Sequence, residues 1–319
     1  MFAEYVPVAD GKSTLHEVPV MARWDRPTSG GIPDWFWESV ETKGQPATVE
    51  VEDCDVAYQT WGNHDGKPGV LLIHGMNAHK HWWDFIAPQL LPDYYVVAMD
   101  LTGMGDSDFR YEYDSDTYAA EIVAVSDAAG LDEQVVLVGH SFGGRMATKV
   151  ASVRADRLGA LVLVDSGIRH PDEPEPDYPV MGGGRAKVYP SREAAEARFR
   201  LFPPQPCDNE YLLTYIARKS LLYLDGSWGW KFDEELPLVL KNAEATPEDF
   251  TGLQLPVGLI YGANSLSFTE ETRSYVASLV PNLVTTERIE DAQHHVFLDQ
   301  PLAFVAALRR VLALVTRQD

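Results

Sequence analysis

The stretch VVLVGHSFGG, residues 135–144, decides how the chain is interpreted. Its first half is an apolar run of the kind that forms a buried strand, and its second half leads into the helical pattern GGRMATKVASVRA. The letters around Ser141 fit G-x-S-x-G, in which a sharp strand-to-helix turn exposes the serine hydroxyl and small neighbours let the backbone approach closely. Amide groups at the start of the helix point toward any negative charge that forms there. Ser141 is therefore predicted to be a nucleophile.

Other short apolar runs alternate with helical stretches on both sides of this segment. They are VLLIHG at 70–75, YVVAMD at 95–100, LVLVDS at 161–166 and VGLIYG at 257–262. Runs this apolar suit strands that are covered on both faces, and their alternation with helices predicts a mainly parallel sheet of the α/β class. The glycines and aspartates that end these runs mark the carboxyl edge of the sheet, where such folds place their chemistry.

The N-terminal region does not follow this alternation. Residues 1–46 are rich in Pro, Gly and aromatic residues, which predicts an irregular arm with one short helix over 35–40. The segments TVEVED and DVAYQTWG then predict an antiparallel hairpin that turns at Asp53 and Cys54.

A second interruption lies between residues 168 and 249. It opens with the Pro/Gly/acid-rich loop RHPDEPEPDYPVMGGGR and continues with SREAAEARFRLF and NEYLLTYIARKSLLYL, which look helical and contain no clear strand. Residues 168–249 are therefore predicted to be a helical cap inserted into an α/β core formed by 47–167 and 250–319.

Composition excludes several classes of protein. Of the 319 residues, 45% are hydrophobic and 23% charged, as in ordinary soluble globular proteins, and no stretch approaches the roughly 20 apolar residues of a membrane helix. A formal net charge of −22 repels phosphate backbones and anionic lipids, so neither nucleic acid nor a membrane is an expected partner. The N-terminus lacks the pattern of a secretory signal, which predicts a cytoplasmic protein. Two cysteines, Cys54 and Cys207, are too few for a zinc site, and a single disulfide between them remains an alternative.

A serine nucleophile needs a base, and histidine is the usual one at neutral pH. The segment IEDAQHHVFLDQPLAF places His294 and His295 between a predicted strand, LVTTERI, and a predicted helix that begins near Gln300. This loop is expected at the same edge of the sheet as Ser141. The base is therefore expected in this pair of histidines.

Taken together, these segments resemble the α/β-hydrolase superfamily. LLIHGMNAHKHWWDF, VVAMDLTGMGDSD, VVLVGHSFGG, LVLVDSG and DAQHHVFLDQP match its recurring segments in the same order. The matching segments lie within residues 48–167 and 252–316. The resemblance implies the α/β-hydrolase fold, with a mainly parallel sheet, helices on both faces and an inserted helical cap.

The resemblance also assigns roles to individual residues. It implies that His294 is the base and that His295 is a packing residue. It further implies an oxyanion hole made by the backbone N–H groups of Met76 and Phe142, with the Asn77 side chain as an alternative donor. No metal or organic cofactor is expected.

The acid partner of the histidine is missing from its usual place. In most family members an aspartate follows the strand that VGLIYG represents, whereas this chain has Ser265 there. Some branches, haloalkane dehalogenases among them, keep the acid after an earlier strand, and the resemblance then gives the role to Asp165 at the end of LVLVD. In other relatives an aspartate at this position packs or caps a turn. The remaining carboxylates near the site are expected to be surface charges or helix caps: Glu270, Glu271, Asp291 and Asp299.

The segment GSWGWKFD at 226–233 is the most distinctive part of the predicted cap. Trp228, Trp230 and Lys231 fit either a structural aromatic cluster or a pocket wall with a cation for an acidic substrate. Several other residues are expected to be structural: Asp100, Asp106, His140 and Arg145.

Three functions fit these residues, each with a small-molecule ligand. The first is a serine hydrolase that cleaves a small or medium carboxylic ester, an amide or a carbon–carbon bond beside a carbonyl through an acyl-enzyme on Ser141. The second is a ligand receptor that retains the pocket without turnover. The third is a lyase or a cofactor-free peroxidase. The fold does not choose among them, but epoxide hydrolases and dehalogenases are disfavoured because they carry aspartate at the nucleophile position.

Overall fold

The structure is a computed structural model that describes residues 31–131, 134–174, 176 and 187–317. Its strands in these ranges are β1 Gln45–Val51, β2 Cys54–Trp61, β3 Gly69–Ile73, β4 Tyr95–Met99, β5 Tyr113–Asp114, β6 Val136–His140, β7 Ala160–Val164, β8 Leu221–Leu224, β9 Ser227–Trp230, β10 Leu240–Lys241, β11 Val257–Gly262 and β12 Leu283–Ile289.

Its α-helices are α1 Asp34–Glu41, α2 Ser115–Ala128, α3 Phe142–Val153, α4 Arg192–Glu196, α5 Glu210–Lys219, α6 Leu236–Val239, α7 Pro247–Thr251, α8 Glu270–Leu279, α9 Val296–Asp299 and α10 Pro301–Val315. Short 3₁₀ turns cover Lys80–Trp83, Ala87–Leu90 and Ala155–Arg157. Helix α1 lies where the sequence predicts a short helix, and residues 1–30 of the predicted arm are outside the described residues.

A central sheet has the strand order β1-β2-β4-β3-β6-β7-β11-β12. Across the sheet, the strands β4, β3, β6, β7, β11 and β12 each pair in parallel with the next. Strand β2 runs antiparallel to both of its neighbours, β1 and β4. Strands β3, β4, β6, β7 and β11 are buried at every position, which explains why their sequences are continuously apolar. The α/β fold class predicted from those runs is confirmed.

Helices cover both faces of this sheet. On one face Leu137 of β6 belongs to the same buried cluster as Ile122 of α2 and Met146 of α3. On the other face α10 approaches β11 so closely that a Cβ atom on Gly258 would stand 2.3 Å from Val311. Because both faces are covered, the edge where the parallel strands end is the expected place for a site.

The N-terminal hairpin turns one residue earlier than predicted. Val51 pairs with Cys54, so the turn consists of Glu52 and Asp53, whose φ angles are 50° and 63°. Two residues with positive φ match the right-handed twist of a tight hairpin, and the turn is therefore not at Asp53 and Cys54. Cys54 begins β2, and both it and Cys207 are free thiols.

The insertion contains a hairpin as well as helices. Helix α5 ends at Lys219, and the LLYL segment that looked helical forms β8, which pairs antiparallel with β9. Asp225 and Gly226 close the hairpin with φ angles of 50° and 81°, and Asp-Gly is a strong hairpin signal in any sequence. The interpretation that this region holds no strand is wrong.

Polar contacts tie the insertion to the core. The Tyr215 hydroxyl of α5 donates to Asp84 Oδ2 at 2.5 Å, and the Tyr113 hydroxyl donates to Asp233 Oδ2 at 2.8 Å. The chain from Ile32 onward forms one compact unit. The domain boundaries at 47, 168 and 250 stay predictions. Among the described helices, none has the length and apolar character needed to cross a membrane, and the cytoplasmic location also stays a prediction.

Candidate active site

Ser141 stands in the sharp turn between β6 and α3. Its backbone has φ 51° and ψ −118°, a conformation that costs a non-glycine residue about 1–3 kcal/mol and persists only when its surroundings hold it. Its amide donates to the Val164 carbonyl at 3.0 Å, and its own carbonyl accepts from the Gly144 amide at 3.0 Å and the Ser166 hydroxyl at 2.7 Å. These bonds stabilise the strained turn that the G-x-S-x-G pattern predicts.

The glycines of the motif are needed because α3 passes very close to the strands. A Cβ atom on Gly143 would stand 2.3 Å from the carbonyl oxygen of His74 and 2.8 Å from Ile73. One on Gly139 would stand 2.5 Å from the Cα atom of Gly144. Backbone atoms cannot give way as a flexible side chain can, so both positions exclude a side chain.

Gly143→Ala is expected to lower the free energy of unfolding by about 1–3 kcal/mol, the range for overpacking a filled interior. The added methyl group collides with the His74 carbonyl and pushes the helix from the strand. Urea denaturation measures the loss. Gly229→Ala is the matched control, because its nearest neighbour would be the Lys187 carbonyl at 3.9 Å. Equal stability of the two variants would contradict the close approach.

The imidazole of His294 lies between Ser141 and Asp165. Its Nε2 atom is 2.9 Å from the Ser141 hydroxyl oxygen, and its Nδ1 atom is 2.7 Å from Asp165 Oδ1. Because an ionised carboxylate can only accept, Nδ1 carries the proton and Nε2 is left to accept from the serine hydroxyl. The structure thus brings together three predicted residues from three different loops at the carboxyl edge of the sheet.

Asp165 follows β7 with a φ of 45° and is buried. Its Oδ2 atom accepts from the Gly262 amide at 3.0 Å, and its Oδ1 atom also accepts from the Ser265 hydroxyl at 2.7 Å. The Ser265 oxygen in turn accepts from the Phe268 amide at 3.1 Å. The serine at the position where the family usually has its acid therefore donates to the carboxylate that contacts His294.

The loop that carries His294 is held by residues that sequence reasoning missed. Asp299 Oδ2 accepts from the Gln293 amide at 2.7 Å, and Gln205 Oε1 accepts from the His295 amide at 2.9 Å. The Gln205 amide group also donates to Asp299. Burial raises the pKa of Asp299. Asp299 is thus not the surface charge that its place at a helix start suggested.

The candidate oxyanion donors have no acceptor within the part of the chain that the structure describes. Among the described residues, no acceptor pairs with the backbone N–H of Met76 or of Phe142. Asn77 has a φ of 54° and its amide points to Met104 Sδ at 3.2 Å, which fits a turn-forming asparagine. The role of Met76 and Phe142 stays a prediction from the family pattern.

A cavity of about 650 Å³ opens beside the Ser141 hydroxyl. It is lined by Ser141, His294 and Asp165 and by the charged side chains of Arg145, Arg169 and Glu244. Apolar residues from the core and from the insertion form much of the rest: Met76, Trp82, Ile168, Phe202, Pro237 and Leu240. The volume suits a small or medium organic molecule.

The predicted pocket wall from the cap does not line this cavity. Trp228 and Trp230 lie in β9, where Trp230 stacks on Phe232 with ring centres 6.2 Å apart. The Lys231 ammonium pairs with Asp106. A structural role fits this aromatic cluster better, because Trp228 packs against Tyr223 and Trp230 against Phe232, and neither lines the cavity. The cations that line the cavity are instead Arg145, which the sequence predicts to be structural, and Arg169.

A buried ion pair holds the DLTGMGDSD turn. Lys80 Nζ lies 2.5 Å from Asp100 Oδ2 and 2.6 Å from Asp106 Oδ2. Burial alone lowers the pKa of Lys80, but the two carboxylates outweigh it and raise the pKa to about 12. Asp100 and Asp106 therefore stabilise this turn through their ion pairs with Lys80, as expected.

Several histidines around the site are buried and have lowered pKa values. Burial is the main cause for His74, His79, His140 and His295. His140 Nε2 donates to the His294 carbonyl at 3.1 Å, and His74 Nε2 accepts from the Leu101 amide at 3.1 Å. The rings of His74 and His140 thus serve as neutral hydrogen-bonding groups.

This burial predicts acid sensitivity. A histidine whose pKa is lowered by folding stabilises the fold fully above its unfolded pKa of about 6.5, and the contribution is lost as pH falls further. We expect the melting temperature to drop when pH is lowered from about 7.5 to about 5.5. His79→Gln, which can still hydrogen-bond to Ser220, should show a shallower drop than the wild type. An unchanged slope would contradict the assignment to these histidines.

Three of the imidazoles could also hold a transition metal. One ring nitrogen each of His140, His294 and His295 lies within 4.8 Å of the others, and all three residues are buried. Among the described residues, neither ring nitrogen of His295 makes a hydrogen bond of ordinary length and angle, although the backbone of Phe202 lies beside the ring. A metal here would take a nitrogen of His294 away from Ser141 or from Asp165. Metal binding would therefore break the series of contacts from Ser141 through His294 to Asp165.

Known proteins share this architecture. A family model described as alpha/beta hydrolase family matches residues 70–308. The chain is 26% identical to Esterase Rv0045c of Mycobacterium tuberculosis over 287 residues, which cover 84% of this chain and 89% of that protein. It is 38% identical to Lipase LipV of the same organism over 114 residues, which cover 36% of this chain and only 42% of that protein.

A solved thioesterase domain from the curacin biosynthetic pathway superposes with a TM-score of 0.69 at 23% identity, covering 84% of this chain and 99% of that domain. At this identity the likeness concerns the fold.

Proposed function

This chain belongs to the alpha/beta hydrolase family, and on that premise we propose that it is a serine esterase that cleaves small or medium carboxylic esters through an acyl-enzyme on Ser141. The observation that carries the proposal is the unbroken series of contacts from Ser141 to His294 at 2.9 Å and from His294 to Asp165 at 2.7 Å. A nucleophile, a base and an acid that orients the base are the parts that acyl transfer needs.

In the proposed reaction the Ser141 oxygen attacks the ester carbonyl carbon while His294 Nε2 takes the hydroxyl proton. The carbonyl oxygen becomes an anion, which accepts hydrogen bonds from the N–H groups of Met76 and Phe142. Phe142 is the first residue of α3, so the positive end of the helix dipole also faces this anion. The positive charge that appears on His294 is stabilised by Asp165, which is already buried against its Nδ1 atom.

Collapse of the tetrahedral intermediate breaks the bond to the alcohol. His294 returns its proton to the leaving oxygen, the alcohol departs and the acyl group stays on Ser141. Water then takes the place of the alcohol, loses a proton to His294 and attacks the acyl carbonyl. The second intermediate releases the carboxylic acid and restores the serine hydroxyl, so the cycle consumes one water molecule per ester.

Repeated turnover separates this proposal from a receptor with the same pocket. The protein would be incubated with a series of p-nitrophenyl esters of increasing acyl length and a matching anilide, with release of the chromophore followed over many equivalents. A fluorophosphonate probe and peptide mapping would identify the nucleophile. We expect steady turnover of short esters and a label on Ser141. At most one slow turnover per chain would favour the receptor and contradict the proposal.

A further inference from the structure

We infer that the substrate of this site carries a carboxylate, and that Arg145 binds it in the place now taken by Glu244. The inference rests on the proposed esterase function and names the substrate class of the same cavity. It depends on where Arg145 lies and on how weakly its present partner is held.

Arg145 lies one helical turn beyond the nucleophile. Ser141 precedes α3 and Arg145 is four residues later, so the two side chains share one side of the helix about 6 Å apart along its axis. Both residues line the cavity. The guanidinium carbon of Arg145 is 5.5 Å from the centre of the Phe142 ring, which favours a fixed position for the cation.

The two arginines at the cavity differ in how firmly they are paired. Arg169 donates to Glu173 Oε1 at 2.7 Å and to the Leu266 carbonyl at 2.9 Å, and the Glu173 side chain is only 5% exposed. This arginine is engaged inside the fold and holds the loop after β7 to the segment before α8. The buried Glu173 carboxylate already compensates the charge of Arg169, so Arg169 would attract a ligand anion only weakly.

Arg145 has a different kind of partner. Its Nη1 atom is 2.9 Å from Glu244 Oε2, and the Glu244 side chain is 88% exposed. No other hydrogen-bond acceptor meets the Arg145 side chain in the part of the chain that the structure describes. Ion pairs with so exposed a partner contribute little, because water solvates the Glu244 carboxylate whether or not it is paired. Glu244 can therefore swing into solvent at small cost.

A substrate carboxylate would gain more from Arg145 than Glu244 does. A planar guanidinium can bind a carboxylate through two parallel hydrogen bonds, whereas Glu244 meets Arg145 through Nη1 alone. The ester carbonyl would then be held near Ser141 by a contact one turn away. A neutral ester of the same shape cannot make this contact and leaves the Arg145–Glu244 pair in place.

The test compares two esters that differ only in charge. One is the mono-p-nitrophenyl ester of glutaric acid, and the other is its neutral isostere in which an isopropyl group replaces the free carboxylate. We expect the wild type to prefer the acidic ester, and Arg145→Gln to lower the acidic-to-neutral ratio of kcat/KM by about 10–100-fold, the range for a charge-assisted hydrogen bond. A second acidic ester, with the carboxylate on the alcohol side, shows which part of the substrate carries the charge.

Variants of the partner separate attraction from repulsion. Glu244→Gln removes the competing carboxylate and should raise the ratio several-fold. The double variant Arg145→Gln with Glu244→Gln should keep a low ratio, because the attraction is gone even though no glutamate is left to repel the substrate. Arg157→Gln is the matched control, since Arg157 pairs with Asp127 on the surface and does not line the cavity.

A wild-type enzyme with no preference for either acidic ester, or an Arg145→Gln variant that keeps the wild-type ratio, would overturn the inference. Turnover of the neutral ester and labelling of Ser141 would still support the proposed esterase in either case. Absence of all ester turnover would instead contradict the esterase itself.

Discussion

Ser141→Ala is expected to lower kcat for p-nitrophenyl esters by about 10⁵–10⁶-fold, as removal of a catalytic serine does in other serine hydrolases. The methyl group cannot attack the carbonyl, and His294 has no hydroxyl from which to take a proton. Any rate that remains comes from water attacking a bound ester beside the oxyanion donors. The variant should also fail to react with the fluorophosphonate probe.

The control for this loss is Ser152→Ala on the same helix. Ser152 donates to the Lys149 carbonyl at 2.9 Å and does not line the cavity. It should keep wild-type turnover and probe labelling, with a melting temperature close to that of the wild type. Turnover by Ser141→Ala within tenfold of the wild type would mean that another nucleophile carries the reaction.

Asp165→Asn is expected to lower kcat by about 10⁴-fold while the protein stays folded, by analogy with triad acids elsewhere. The structure gives a specific reason. Because the Gly262 amide donates to Oδ2, the new amide must keep its oxygen there and turn its NH₂ group toward His294. That group then donates to Nδ1, the ring proton moves to Nε2, and the imidazole can no longer accept a proton from Ser141.

Position 265 offers both a control and a rescue for this variant. Ser265→Ala removes one donor to Asp165 but leaves the contact to His294, so a loss below about 10-fold is expected for one auxiliary hydrogen bond. In Asp165→Asn with Ser265→Asp, the new carboxylate stands beside the position where Asp165 Oδ1 meets the serine hydroxyl at 2.7 Å. It should recover at least tenfold of the lost kcat.

Both outcomes are measured as kcat and kcat/KM with the same ester. Near-normal turnover in Asp165→Asn would reject Asp165 as the acid. If the double variant recovers none of the lost kcat, position 265 does not bring a carboxylate within reach of His294.

The candidate catalytic residues show how much of the site the sequence predicts. The run of apolar residues before Ser141 and the small residues after it predict strand, turn and helix by local rules, and the structure has all three. The sequence also points to Asp165, but it presents Ser265 only as a missing acid. The Ser265 hydroxyl contacts the Asp165 carboxylate 100 residues earlier in the chain, and no local sequence pattern reveals such a contact.

The cap shows where sequence reasoning failed. The sequence draws attention to three residues of the insertion, Trp228, Trp230 and Lys231. In the structure the tryptophans belong to the β8–β9 hairpin, where Trp230 stacks on Phe232, and Lys231 pairs with Asp106. The sequence also predicts a structural role for Arg145, yet this residue lines the cavity. Its partner there is Glu244, 99 residues later, which the insertion brings back over the edge of the sheet.

The sequence by itself determined the strands of the central sheet, the elbow at Ser141 and the order of the segments, because sterics and hydrogen bonds between near neighbours decide these features. Only the tertiary structure decided which charges face the cavity, how Ser265 supports Asp165 and where the aromatic hairpin packs. These contacts join residues far apart in the chain, and they form only when burial of the whole core sets the positions of the loops that carry them.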